Sequence, residues 1–188
     1  MILSENIKEN TKAAHQKLEA VVVRQLKAVR SNADYAEVLK NFYAYFNAVE
    51  RAIAPFITSN VLPDYHERRN SSHIKEDILE LGSDINELPA ASAPSVSNTL
   101  EALSALYVLE GSIMGGPYIV QMLNKYGINL GTSFFSGYGQ ETGTMWASFT
   151  AVLNKYAESP TDHERAIEIA NETFSKFGDV FAASTVEK

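Results

Sequence analysis

Cysteine is absent from the 188 residues. That excludes a disulfide framework, a thiolate metal site and a cysteine nucleophile. No apolar run reaches the length of about 18 residues that marks a membrane span, so no membrane association is expected. The opening Met1-Ile2-Leu3-Ser4-Glu5-Asn6 has no basic region ahead of an apolar block, so no secretory signal is expected either. Cations are in deficit: 16 Lys and Arg face 23 Asp and Glu, for a net charge of −7. Such a surface argues against nucleic acid, which needs clustered basic groups, and an anionic ligand would have to be met by a local basic cluster. Glu-x-x-His, His-Glu-x-x-His and a glycine-rich phosphate loop after a strand are all missing, which removes di-iron, zincin and nucleotide-loop readings. The lack of cysteine fits a cytoplasmic protein.

Period-two alternation is also missing, and helical periodicity fills the chain. A first helix is expected over Ser4–Arg30 with Ser4 as its cap. A second starts at Ser31-Asn32, carries Tyr35, Leu39, Phe42, Phe46 and Val49 at helical spacing, and stops near Pro55. After a polar connection over 58–70, Ser71 or Ser72 caps a shorter helix that Gly82 ends. Glu87–Pro94 reads as a loop, and Asn98-Thr99-Leu100-Glu101 as a capping box for a helix reaching Tyr126. Gly131–Gly143 is an irregular, packed loop in which Gly137-Tyr138-Gly139 is a turn. A helix around Trp146 and Phe149 follows. The last helix opens on Thr161-Asp162-His163-Glu164 and carries Ile167, Ala170, Phe174, Phe177 and Phe181. The class is all-α, a single multi-helical domain over 1–188 with roughly six to eight helices. Its last few residues are candidates for disorder.

Glu110-Gly111-Ser112-Ile113-Met114-Gly115-Gly116-Pro117 falls in the middle of an expected helix. Each interior glycine costs about 1 kcal/mol relative to alanine and an interior proline about 3. Two readings explain the burden. Glycine lets another helix approach closely, or it lets a flat ligand lie on bare backbone. Gly111 and Gly115 share one helical face about 6 Å apart, and Gly116-Pro117 permits a kink. On the first helix Lys8, Thr11, His15, Leu18, Glu19 and Val22 share a face. His15 is either an axial metal ligand, with Glu19 orienting its ring from one turn away, or an ordinary histidine on an amphipathic helix. His66, His73 and His163 lie in polar stretches and read as ordinary.

Together these residues resemble the heme oxygenase family, in its bacterial, biliverdin-producing branch. The resemblance rests on Thr11-Lys12-Ala13-Ala14-His15-Gln16-Lys17-Leu18-Glu19, on Arg69 with Ile74, Asp77, Leu79 and Gly82, and most specifically on Leu106-Tyr107-Val108-Leu109-Glu110-Gly111-Ser112-Ile113-Met114-Gly115-Gly116. Phe135 to Phe149, with Tyr138-Gly139, Gly143 and Trp146, extends it. It implies a heme oxygenase-like fold with His15 as proximal iron ligand and Lys8 near a propionate. Gly111, Ser112, Gly115 and Gly116 then form the helix that bends over the heme; apart from the resemblance, the hydroxyls of Ser112 and Tyr107 are candidates for anchoring water there. It also implies oxidative opening of heme, at once cofactor and substrate, by O2 to biliverdin, iron and carbon monoxide. An electron donor such as ferredoxin or a reductase completes the set. Ser112 stands where some relatives carry an aspartate, and Pro117 where many carry a polar or basic residue. Three rivals stay open. One is a heme carrier or sensor on the same fold. A thiaminase-like protein is disfavoured by the missing cysteine. The last is a helical interaction domain in which the glycines only pack.

Overall fold

The helix expected over Ser4–Arg30 is two helices, because Thr11 breaks it. In this computed structural model, which describes residues 1–186, α1 spans Leu3–Asn10 and α2 spans Lys12–Lys27. Thr11 lies between them at φ −113°, with its N–H and its hydroxyl both donating to the carbonyl of Ile7, at 2.9 and 2.7 Å. A hydroxyl that competes for a helical carbonyl in this way bends a helix. Ser4 is not a cap: it lies inside α1, and its N–H donates across the molecule to Asn154 Oδ1 at 2.8 Å.

The third helix, α3 (Asn32–Ile53), is capped by Ser31, whose side chain accepts from Asp34 N. The fourth, α4 (Ser71–Glu80), is capped by Asn70 rather than by either serine. Only that register puts His73 at the third helical position, where its ring accepts from Asn70 N–H at 3.3 Å. It also frees Ser71 to donate to the Glu50 carboxylate on α3 through both its N–H and its hydroxyl. A loop leads to α5 (Thr99–Gly111), where Asn98 accepts from Glu101 N. The Glu101 carboxylate does not complete the expected box. It accepts instead from Ser97 and from Arg165 Nε at 2.8 Å.

The helix expected to run on to Tyr126 is in three pieces: α5, a 3-10 turn over Ser112–Gly115, and α6 (Gly116–Lys125). Pro117 therefore lies in the first turn of α6, where its missing N–H leaves no hydrogen bond unmade, and not in a helix interior. Then come α7 (Thr142–Asn154) and α8 (Pro160–Val186). The box that opens α8 is Ser159 with Asp162, two residues ahead of the expected Thr161, because Pro160 favours the first helical position. Shorter 3-10 turns occupy Tyr65–Glu67 and Gly139–Glu141. No strand occurs among the described residues. The expected disorder at the end of the chain concerns Glu187 and Lys188, outside the described residues.

Helix α5 is the axis of the fold. Every residue from Glu101 to Glu110 is buried, which a helix achieves only when neighbours cover it all round. Those neighbours are α3, α7 and α8. By length and composition Thr99–Lys125 is apolar enough to cross a membrane, contrary to the sequence expectation. Here its α5 part is enclosed by protein. Beside it Phe42, Phe46, Phe177 and Phe181 meet edge-on or tilted, and Tyr45 stacks on Phe177 at 4.6 Å while donating to the carbonyl of Thr173. The loop over 131–139 is packed, as expected: Phe134 and Phe135 are buried, and Asp77 accepts from Ser133 Oγ and Phe134 N. Tyr35, buried in α3, donates to the carbonyl of Gly131 at 2.6 Å.

Candidate functional site

A cavity of about 320 Å³ opens between the α1–α2 pair and the end of α5, large enough for a small-molecule site. Lys8, Thr11, His15 and Leu18 form one wall, as their spacing on the first helical segment anticipates. Phe174 and Phe177 of α8 close one side. The His15 ring stacks on Phe174, with centroids 5.3 Å apart and planes 24° apart. His15 is exposed to the cavity, and no hydrogen bond holds its ring among the described residues. Glu19 is not brought to it. Glu19 is exposed and lies outside the cavity, because Leu18 takes the inward position on that turn.

The other wall comes from α5, the 3-10 turn and α7: Tyr107, Val108, Gly111, Ser112, Met114 and Trp146. The Tyr107 ring lies 5.2 Å from Trp146, and burial raises its phenol above the ordinary value, so it stays protonated. Ser112 Oγ donates to the carbonyl of Leu109 at 2.6 Å. Its proton is therefore spent on the helix, and what it offers the cavity is an acceptor.

The three glycines do three different things. A Cβ on Gly111 would touch Trp146 Cη2 at 3.4 Å, so bare backbone here seats the indole and widens the cavity. Gly115 is exposed, absent from the lining, and a Cβ there would meet no atom within 4 Å. The shared face of Gly111 and Gly115 therefore reaches the cavity at Gly111 and not at Gly115. Gly116 is buried, and a Cβ would run into the carbonyl oxygen of Phe135, with the carbonyl carbon at 2.8 Å. Gly116 is thus the close-packing glycine, and the chain that crosses it is the 131–139 loop rather than a helix.

Behind this wall sits an ion pair that the sequence reading missed. Arg68 is fully buried and donates to Asp64 Oδ1 (2.9 Å), Glu110 Oε2 (2.8 Å), the carbonyl of Met145 (3.2 Å, twice) and Ser148 Oγ (2.8 Å). Tyr138 also donates to Glu110, at 3.4 Å. Burial pushes the Glu110 carboxyl up, and Arg68 opposes it. The available signal was Glu110 itself, an acid next to the unbroken core run Ala105–Leu109, which demands a buried cation. Trp146, Met114, Phe174 and Phe177 were noticed in the sequence but not as lining. His73 and His163 are structural: one completes a cap and the other bonds Asn6. Among the described residues no three acidic or histidine side chains cluster as a metal site.

The heme oxygenase family model matches residues 1–183. A relative in Xanthomonas campestris named heme oxygenase is 29% identical over 151 residues, which is 79% of this chain and 89% of the relative. The crystal structure of the NO- and CO-bound heme oxygenase from Neisseria meningitidis superposes with a TM-score of 0.78 at 22% identity, covering 96% of this chain and 90% of that one. Heme oxygenase-1 from the cyanobacterium Synechocystis, solved in complex with heme, gives 0.71 at 19% identity over 97% and 91%. At those identities the structures attest the fold, while the match along nearly the whole sequence attests descent: this chain belongs to the heme oxygenase family.

Proposed function

We propose that this protein opens heme oxidatively to biliverdin, releasing iron and carbon monoxide, and that His15 would hold the heme iron. The observation that carries the reading is the lone imidazole. It faces a cavity whose opposite wall is broken into a 3-10 turn with bare backbone at Gly111. The residues fit the group. Leu18, Val108, Trp146, Phe174 and Phe177 offer apolar surface to a flat macrocycle, and Lys8 sets a cation at the rim for a propionate. Bound heme supplies the iron at which O2 is reduced and the ring carbon that is oxidised, with electrons from a donor such as ferredoxin or a reductase.

The protein's own contribution is orientation. The His15 ring lies on Phe174, which limits its rotation. Thr11 is locked onto Ile7 and shapes the wall by bending the chain, while its hydroxyl proton is unavailable. Tyr107 keeps its proton and would be the donor to a bound water, with Ser112 as the acceptor. Donors fixed before reaction lower a barrier without reorganising during it. Gly111 would leave room for a bound heme, and Gly116 fixes the loop behind the wall. The setting proposed is the cytoplasm.

The test is a hemin titration followed by ascorbate or ferredoxin with its reductase, in air with catalase present. The parent protein is expected to lose its Soret band and yield biliverdin. His15→Ala is expected to lose the imidazole-ligated spectrum and to regain it with added imidazole. A His15→Ala complex that keeps the parent spectrum without imidazole overturns the ligand assignment. A stable parent complex that yields no biliverdin overturns turnover and leaves a heme carrier or sensor.

A further inference from the structure

The buried ion pair behind the cavity has an unusual relation to the wall. Arg68 grips Ser148 and, on separate helices, Glu110 and Met145. Glu110 and Met145 immediately precede the wall residues Gly111 and Trp146, and the Trp146 indole lies so near Gly111 that a Cβ there would stand 3.4 Å from it. We infer that Arg68 is a positioning residue, whose fork sets the approach of Trp146 to Gly111 and so the width of the heme cavity. The part concerning heme rests on the function proposed above.

Three observations support this. First, the geometry is saturated. A guanidinium has five N–H groups in a rigid plane, and all five are engaged by the bonds from Asp64 to Ser148. Arg68 therefore cannot shift toward one partner without releasing another. Second, the bonds join three segments that are distant in sequence: the connection before α4, the end of α5 and the first turns of α7. Phe149 lies beneath the guanidinium at 5.9 Å, which restricts tilting. Third, stability alone does not account for the arrangement. Arg68 is fully buried and the Glu110 side chain is 3% exposed, and two such charges lose their hydration. Well-packed apolar residues of similar volume commonly hold a fold as well as a buried pair does. What apolar packing does not supply is direction. The hydrogen bonds to a particular carboxylate and a particular carbonyl fix where the next residue of each helix points. Tyr138 strengthens the fork from the loop side, accepting from Arg69 N–H at 2.8 Å while donating to Glu110.

The protein carries a single tryptophan, and it is Trp146, so its fluorescence reads the wall directly without ligand. The experiment compares the parent with Ser148→Ala, Arg68→Lys and the double variant Arg68→Met/Glu110→Leu. Melting temperature, Trp146 emission maximum and anisotropy are recorded on ligand-free protein, and hemin affinity on each. Ser148→Ala, at an exposed position, removes two bonds, the one Arg68 donates to its hydroxyl and the one that hydroxyl donates to the carbonyl of Met145, and is expected to lower Trp146 anisotropy with at most a small drop in melting temperature. Arg68→Lys keeps the charge but not the fork, and is expected to shift emission to the red and weaken hemin binding severalfold. The double variant, with no charge left unpaired, is expected to melt cooperatively with the largest Trp146 change. If Trp146 emission and anisotropy match the parent in both Ser148→Ala and Arg68→Lys, the inference is overturned, whatever the melting temperatures do and whether or not the double variant folds. Failure of the parent to bind hemin would instead refute the function proposed above and leave the Trp146 measurement standing.

Discussion

Two adjacent glycines, Gly115 and Gly116, are expected to respond in opposite directions to one added methyl group. In Gly115→Ala the new Cβ meets nothing within 4 Å. Alanine is worth up to about 1 kcal/mol over glycine in helical backbone, less in a 3-10 turn, so the variant is expected to be neutral or slightly stabilised. In Gly116→Ala the Cβ is driven into the backbone carbonyl of Phe135. That oxygen is not the end of a flexible side chain. Phe134 and Phe135 are buried, and Phe135 packs edge-on against Phe42 at 5.1 Å, so the loop yields only by disturbing the aromatic core. Overpacking of this kind costs about 1–3 kcal/mol, and a backbone obstacle puts Gly116→Ala at the upper end. At roughly 2–4 °C per kcal/mol for a chain of this length, the melting temperature should fall by about 4–12 °C. Gly115→Ala should move by no more than about 4 °C, upward. Differential scanning calorimetry on the two ligand-free variants decides it. A Gly116→Ala protein that melts with the parent, or equal losses in both, would refute the packing role assigned to Gly116.

Two further outcomes follow from the charges. In Glu101, burial works to raise the carboxyl, but the donors Arg165 and Ser97 outweigh it and leave the group below the usual carboxylate range. A depressed folded pKa contributes stability that is in place above the unfolded value, about 4.3, and is lost as pH falls through the folded one. The melting-temperature gap between the parent and Arg165→Ala should therefore shrink as pH is lowered from about 6 to about 3; a gap constant across that range would contradict the pairing. Lys8 is exposed at the cavity rim, and an exposed ion pair is worth at most about 1 kcal/mol, so Lys8→Ala should weaken hemin binding by no more than about fivefold. A loss beyond about a hundredfold would mean a far drier contact, and no loss would shift the role to Lys12 or Lys155.

The helical class and most boundaries could be read in the sequence because they depend on local spacing and on capping residues within a turn. Ser31 and Asn98 cap as expected, and Gly82 and Gly127 take the positive φ that ends a helix. Thr11 and Ser159 were misplaced by bonds within a turn, and other misplacements came where a residue's partner is remote. Ser4 bonds Asn154 and Ser71 bonds Glu50, so neither is available as a cap. The His15 wall followed from helical periodicity alone. The opposite wall did not, because Trp146 and Gly111 meet only through tertiary packing. The role of Gly116 depends on a loop crossing it 19 positions later in the chain. Pro117 looked like a flaw because the 3-10 break ahead of it has no one-residue signature.

The placement of α8 bears on how the protein is made. Its Phe174 stacks on His15, which lies 159 positions earlier in the chain. Translation adds about 5–20 residues per second, so a nascent chain carries an imidazole with nothing behind it for about 8–30 s. Until the final helix docks, Phe174 and Phe177 are missing from the cavity, and a porphyrin arriving early meets a histidine on an unsupported helix. A ribosome that stalls before Pro160 releases a product without the aromatic floor on which His15 rests.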